Sequence, residues 1–258
     1  MLENDGSLKV SSSNLAQQQW QSLKSAYEAL GITVDVLKAE ETLPDMVFAA
    51  NQSFVYFDHS TKKSNVVLSN MRHTIRQPET KVFEKWYAEN NYIIHKLPSQ
   101  YENLFFEGNG DALPIVSKKL VLAGYGPRTS EEVYDFLAHK TGYEILKLNP
   151  TNPKFYHLDT CLSILNNDTI ALVKEVFTSQ ELSNLDQHFE NVIAISPEEA
   201  EQNFAANCHC PDGKNVILQK GSNEFCSNLK QQGFNCIEVD TSEFMKSGGS
   251  VFCMKMVV

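Results

Sequence analysis

The amino-acid order predicts an α/β fold built from one repeated module, strand–strand–helix–strand, with five modules closing into a ring. Three observations lead there. The element order occurs four times between residues 46 and 239, turn or cap signals punctuate the copies, and the two chain ends together supply most of a fifth copy.

The first copy reads as strands over 46–57 and 65–69, a helix over 78–90 and a strand over Tyr92–Leu97. The second reads 111–117, 119–125, helix 129–142 and strand 144–149; the third 159–165, 168–174, helix 179–188 and strand 191–196. The fourth reads 203–208, 215–219, helix 222–232 and strand 235–239. Asn166-Asn167-Asp168 and Pro211-Asp212-Gly213 supply turn chemistry inside the third and fourth hairpins. Thr129-Ser130-Glu131-Glu132 and Thr178-Ser179-Gln180-Glu181 set hydroxyls ahead of acids, as helix starts do. A helix over Leu15–Leu30, a strand over Ile32–Leu37 and a C-terminal strand over Ser250–Val257 form the fifth unit, one strand short. Closing a ring radially leaves few exposed strand edges. An open α/β sandwich is the alternative. No linker or low-complexity segment divides the chain, so residues 1–258 are expected to form a single domain.

Composition narrows the function. The 258 residues include 42% apolar and 21% charged types, ordinary for a globular chain. The formal net charge is −10 and Lys and Arg do not cluster, which disfavours nucleic acid and anionic membranes and suits a small cationic substrate. No apolar run approaches the roughly 18 residues of a membrane span. Met1 to Ser13 is polar and lacks the layout of an export signal. The six cysteines, at 161, 208, 210, 226, 236 and 253, form no dense framework, so they are expected to be reduced and the protein cytoplasmic.

Four motifs carry candidate chemistry. In Phe155-Tyr156-His157-Leu158-Asp159-Thr160, His157 and Asp159 are two residues apart at an expected strand start, where both would face one side. A carboxylate beside imidazole tunes it for proton transfer; a structural His–Asp pair at a sheet edge is the alternative. In Phe106-Glu107-Gly108-Asn109-Gly110-Asp111, two acids flank a glycine turn and suit the donor fork of a guanidinium, or else form a solvated acidic turn. The spacing fits neither a calcium loop nor a phosphate loop. Lys246-Ser247-Gly248-Gly249-Ser250-Val251-Phe252-Cys253 brings a thiol to the ring mouth, either as a nucleophile or as a small buried hydrophobe. Asn51, closing Pro44-Asp45-Met46-Val47-Phe48-Ala49-Ala50-Asn51, is a turn residue or a ligand contact. Cys208-His209-Cys210 has no second ligand cluster, so no metal site is expected. His59, His73, His95, His139 and His188 have no suggestive partners in the sequence.

Taken together, Pro44–Asn51, Phe106–Leu113, Ala123–Arg128, Phe155–Cys161, Asn203–Asn207 and Gly248–Cys253 resemble, in order and spacing, the guanidine-modifying enzymes of the pentein superfamily. The likeness covers nearly the whole chain and is nearest the arginine dihydrolase type; dimethylarginine dimethylaminohydrolases, arginine deiminases and amidinotransferases share the superfamily. It implies the five-module propeller. It implies Cys253 as nucleophile, His157 as acid and base, and Glu107 and Asp159 as acids gripping the guanidinium, with Asp111 assisting. It further implies Arg76 and Arg128 on the substrate carboxylate, and Asn51 and Asp45 as substrate contacts. The implied intermediate is a covalent thiouronium, with no metal or organic cofactor. Asn51 falls where deiminases and dimethylarginine hydrolases usually carry Asp, which resembles the dihydrolase type: two hydrolytic rounds from arginine to ornithine, ammonia and carbon dioxide. The family commonly forms homodimers or larger assemblies. Its pattern begins with a further strand, and this chain opens Met1-Leu2-Glu3-Asn4-Asp5-Gly6, so the first strand of the closing module is expected to be absent. A catalytically silent guanidino-compound binder and a zinc hydrolase are the competing classes.

Overall fold

The computed structural model describes residues 12–58 and 61–258; Met1–Gly6 and His59 lie outside the described residues. Helix α1 (Ser13–Ala29) starts on the Ser12 hydroxyl and buries Gln19, Leu23 and Tyr27, a stripe at four-residue spacing. Then come β1 (Ser53–Asp58), β2 (Lys63–Leu68), α2 (Glu79–Glu89) and β3 (Ile93–His95). β4 (Ala112–Ile115), β5 (Leu120–Gly124), α3 (Val133–Thr141) and β6 (Glu144–Leu148) repeat the order, as do β7 (Leu162–Ile164), β8 (Thr169–Leu172), α4 (Ser179–Asp186) and β9 (Asn191–Ala194). The chain continues through α5 (Pro197–Asn203), β10 (Asn215–Gln219), α6 (Asn223–Gln231), β11 (Asn235–Val239) and α7 (Ser242–Met245).

The sheets share one plan. β1–β2, β4–β5 and β7–β8 are antiparallel hairpins, and β2–β3, β5–β6 and β8–β9 pair in parallel after a helical crossover. Parallel neighbours need such a crossover because a short turn cannot return the chain to the same end of the sheet. β10 and β11 pair in parallel across α6. The middle strand β5, Leu120–Gly124, is buried along its whole length, as expected for a strand flanked on both edges.

Contacts group the chain into two compact units. One holds the described chain through Val36 with Leu162–Glu175 and Asp186–Met254; the other holds Leu37–Cys161, Val176–Leu185 and Lys255–Val258. In the second unit, Phe54, Phe106, Val121, Tyr134 and Leu137 form one apolar core, and Met46, Val66, Leu68, Phe83 and Tyr87 form another. In the first, α1 is tied to α7: Glu243 N–H donates to Gln19 Oε1 at 2.9 Å and Gln19 Nε2 donates to the Ser242 hydroxyl at 2.9 Å. Among the described residues no helix is long and apolar enough to cross a membrane.

Several expected elements differ. Residues 32–37 are not a strand, because among the described residues that segment has no ladder partner. The first strand of the fourth copy shrinks to a single antiparallel bridge, His209 to Ile217. Of the expected strand 203–208, Asn203 closes α5 and 204–208 form a turn; in α5 the Ser196 hydroxyl accepts from Glu199 N–H, Pro197 opens the helix, and Phe204 ends it in a left-handed conformation. The Ser196-Pro197-Glu198-Glu199 capping pattern was the readable signal for that helix. Residues 250–257 are also not a strand. Val251–Met254 form a turn, since their N–H groups go to Asn207 and back to Ser250 instead of to a neighbouring strand. β1 starts at Ser53, so Asn51 sits in a 3₁₀ turn, Ala49–Gln52.

Candidate active site

The acidic glycine turn folds tightly because its glycines are sterically required. At Gly108, φ is +50° and a Cβ would collide with the Ser53 backbone. At Gly110, a Cβ would lie 2.5 Å from Asn51 Nδ2 and 3.1 Å from the His157 ring. Gly110 therefore lets the Asn51 amide and the His157 imidazole approach the same backbone.

Glu107 is fully buried and both its oxygens are engaged. Oε1 accepts the Arg72 backbone N–H at 3.1 Å. Oε2 meets His157 Nε2 at 2.7 Å and Arg128 Nη1 at 3.0 Å. Burial pushes the Glu107 carboxyl up, but the hydrogen bond and charge of His157, with Arg128 and the Arg72 N–H, outweigh it and hold the group at about 2. Burial pushes His157 down, and the Asp111, Glu107 and Asp159 carboxylates overcome that and raise it. His157 Nδ1 is buried and has no hydrogen-bond partner among the described residues.

His157 and Asp159 are not two positions of one strand, as the sequence reading has it. His157 is extended, while Asp159 lies in the 3₁₀ turn Leu158–Thr160 that follows. The carboxylate hydrogen-bonded to the imidazole is Glu107, fifty residues away in sequence. Asp111 Oδ1 accepts from Leu158 N–H at 2.9 Å and Oδ2 from the Thr129 hydroxyl at 2.7 Å. Thr129 Oγ1 in turn accepts the Glu107 N–H at 3.1 Å. Both Asp111 oxygens thus brace the frame around His157.

Arg76 and Arg128 are held by different carboxylates. Arg128 is half-buried, pairs with Glu107 and covers the Tyr156 ring at 5.0 Å. Arg76 is buried: Nε and Nη2 engage Glu79, Nη2 also reaches the Asp45 and Phe48 carbonyls, and Nη1 donates to Asn51 Oδ1 at 2.9 Å. Arg76 thereby orients Asn51. A guanidinium cannot accept, so Asn51 must turn its oxygen to Arg76. Its Nδ2 is buried with no partner among the described residues. Asp45 contributes its backbone carbonyl, and its side chain is half-buried.

In the other unit, Cys253 is 3% exposed within the 251–254 turn. Asn207 Oδ1 accepts the N–H groups of Ser250 and Cys253 at 3.1 and 3.2 Å, and Nδ2 lies 3.1 Å from Cys253 Sγ. The Cys208-His209-Cys210 run is engaged locally: Cys208 Sγ contacts the Ser163 hydroxyl at 3.0 Å, and His209 Nδ1 contacts the Tyr27 hydroxyl at 3.0 Å. Burial pushes the Cys208, Cys210 and Cys226 thiols up to about 12, which keeps them protonated and inert.

The profile of the eukaryotic N,N-dimethylarginine dimethylhydrolase family matches residues 4–258. The chain belongs to this family. It is thereby a guanidine-modifying enzyme of the pentein superfamily, a hydrolase acting on guanidino C–N bonds. The N(G),N(G)-dimethylarginine dimethylaminohydrolase of Mycobacterium tuberculosis is 33% identical over 95% of this chain and 76% of its own length. The bifunctional arginine dihydrolase/ornithine cyclodeaminase AgrE of Nostoc sp. is 34% identical over 98% of this chain, which spans 35% of AgrE. The N-terminal domain of ArgZ, a cyanobacterial arginine dihydrolase solved with substrate bound, matches with a TM-score of 0.87 at 30% identity, covering 97% of this chain and 89% of that one. The same ArgZ domain has been solved covalently bound to a reaction intermediate.

The second unit thus holds a buried imidazole, an ion-paired carboxylate and an oriented amide. Sequence reasoning missed Glu79, Thr129, the Arg72 N–H and the role of Asn207. Arg76 and Glu79 at i,i+3 before a helix offered a signal; the others act through contacts between distant segments, which no spacing announces.

Proposed function

We propose that this chain hydrolyses arginine in two rounds through covalent adducts on Cys253, leaving ornithine, two ammonia and carbon dioxide. In the first round the Cys253 thiolate adds to the guanidine carbon. His157 protonates the departing ammonia, and water attacks the thiouronium to leave citrulline. In the second round the thiolate adds to the ureido carbon, a second ammonia leaves, and water releases a carbamate that decomposes to carbon dioxide and ornithine. His157 Nε2 is committed to Glu107, so Nδ1 is the atom that carries the proton. Arg128 is the candidate for the substrate carboxylate, Asp159 for the guanidinium, and Arg76 and Asp111 act as supports.

The orientation of Asn51 carries the two-round reading. Arg76 takes its oxygen, leaving a buried N–H₂ beside Gly110 and His157. A guanidinium has no acceptor for that group, whereas the ureido oxygen of citrulline has one. An Asp at this position would grip the guanidinium and repel the ureido oxygen. The reading includes one catalytic domain with its modules closed in a five-membered ring, supported by the common plan of the sheets. It includes a cytoplasmic setting, supported by six free thiols.

Product analysis with arginine tests it. Ornithine and two equivalents of ammonia are expected, and Asn51→Asp is expected to stop at citrulline. Citrulline accumulating from the wild-type chain overturns the two-round reading. A second reading, favoured by the family profile, is hydrolysis of methylated arginine; citrulline and dimethylamine from dimethylarginine, with arginine untouched, would establish it.

A further inference from the structure

Asn207 faces Cys253 with both ends of its carboxamide. Two backbone N–H groups, of Ser250 and Cys253, converge on one amide atom. That atom must be the oxygen, since an amide nitrogen does not accept. The opposite end is therefore the N–H₂ group, and it lies 3.1 Å from Cys253 Sγ. Asn207 is fully buried. The far side of the turn is tied down as well: the Ser250 hydroxyl contacts the Thr241 hydroxyl at 2.7 Å, and Thr241 donates through its N–H and its hydroxyl to Gln219 Oε1, both at 2.6 Å.

We propose that Asn207 is a positioning residue for the nucleophile: it fixes the Cys253 turn through its oxygen and holds the thiolate through its nitrogen. The inference rests on Cys253 being the nucleophile. A buried thiol loses its proton reluctantly because burial penalises the anion, as it does at the other buried cysteines of this chain. An N–H donor aimed at sulfur counters that penalty, because a hydrogen bond to a charged acceptor is stronger than one to a neutral thiol and stronger still away from water. One carboxamide performs both tasks only if the turn presents two N–H groups and the sulfur on the same side, which Ser250–Cys253 does.

The test is alkylation of Cys253 by iodoacetamide in the full chain, followed by peptide mass spectrometry across pH, with Cys253→Ser as the blank. Asn207→Asp keeps the accepting oxygen and replaces the donor by a carboxylate oxygen. It is expected to raise the apparent thiol pKa by about one unit or more, slowing alkylation at pH 7 about tenfold, with the fold retained by circular dichroism. An unshifted profile overturns the proposal. A readout on the wild-type chain covers the case of a misfolded variant: the Asn207 side-chain ¹⁵N–H₂ resonances are expected to titrate with the same midpoint as alkylation, and resonances that stay flat overturn it. The two claims fail separately. Arginine turnover with an unshifted Asn207→Asp profile removes only the role of Asn207, whereas turnover by Cys253→Ser removes the nucleophile.

Discussion

Glu107 Oε2 lies 2.7 Å from His157 Nε2, and neither side chain is open to solvent. The imidazole is therefore held at one nitrogen, and the other has no hydrogen-bond partner among the described residues, an arrangement that suits the proposed proton transfer.

That pair sets a pH signature. Glu107 is depressed from 4.5 to about 2, so its contribution to stability is present above about pH 4.5 and lost as pH falls toward 2. His157 is raised from 6.5, so its contribution is complete below that value and lost as pH rises through the higher native one. The difference in melting temperature between the wild-type chain and Glu107→Gln is expected to peak between about pH 4.5 and 6.5. A difference that stays constant from pH 4 to 8 rules the coupling out.

The Arg76–Glu79 pair predicts an asymmetric cost. Burial pushes the Glu79 carboxyl up against the hydrogen bonds and charge of Arg76, so the net gain from the intact pair is small. Removing one partner is different, because it strands a buried guanidinium. Glu79→Ala is expected to cost about 3–5 kcal/mol, at about 2–4 °C of melting temperature per kcal/mol for a chain of this size. Ornithine formation is expected to fall further than citrulline formation, since Arg76 also orients Asn51. A melting temperature within 2 °C of the wild type counts against this account.

Gly110→Ala tests the crowding at the acidic turn. The new methyl would sit 2.5 Å from Asn51 Nδ2 and 3.1 Å from the His157 ring. Overpacking of this kind costs about 1–3 kcal/mol, but the displaced groups are the ones assigned to the chemistry. The value of kcat/KM is expected to fall about a hundredfold, as for a misplacement near 1 Å, while the chain still melts cooperatively. Near-normal turnover would show that Asn51 and His157 do not need this close approach.

Legible in the sequence were the strand–strand–helix–strand order of three copies and most helices to within a few residues. Those features are local: a hairpin turn, a cap or an apolar period is written into neighbouring residues. β11 at Asn235–Val239 and α2 at Glu79–Glu89 follow that pattern closely. Tertiary structure alone decided the backbone around Asn51, Asp159 and Cys253. All three leave the expected strands for turns: the Asn51 N–H goes to the Phe48 carbonyl while its own carbonyl takes the Ser69 hydroxyl, the turn at Asp159 is closed by Thr160 N–H on the His157 carbonyl, and the Cys253 N–H goes to the Asn207 side chain instead of to a ladder. It likewise decided that Glu107, fifty residues upstream, hydrogen-bonds His157, and that Arg76 serves Asn51. A carboxylate or an amide can be read from the chain; its partner is set by which segments the fold brings within 3 Å, and by the need to satisfy every buried polar group once they meet.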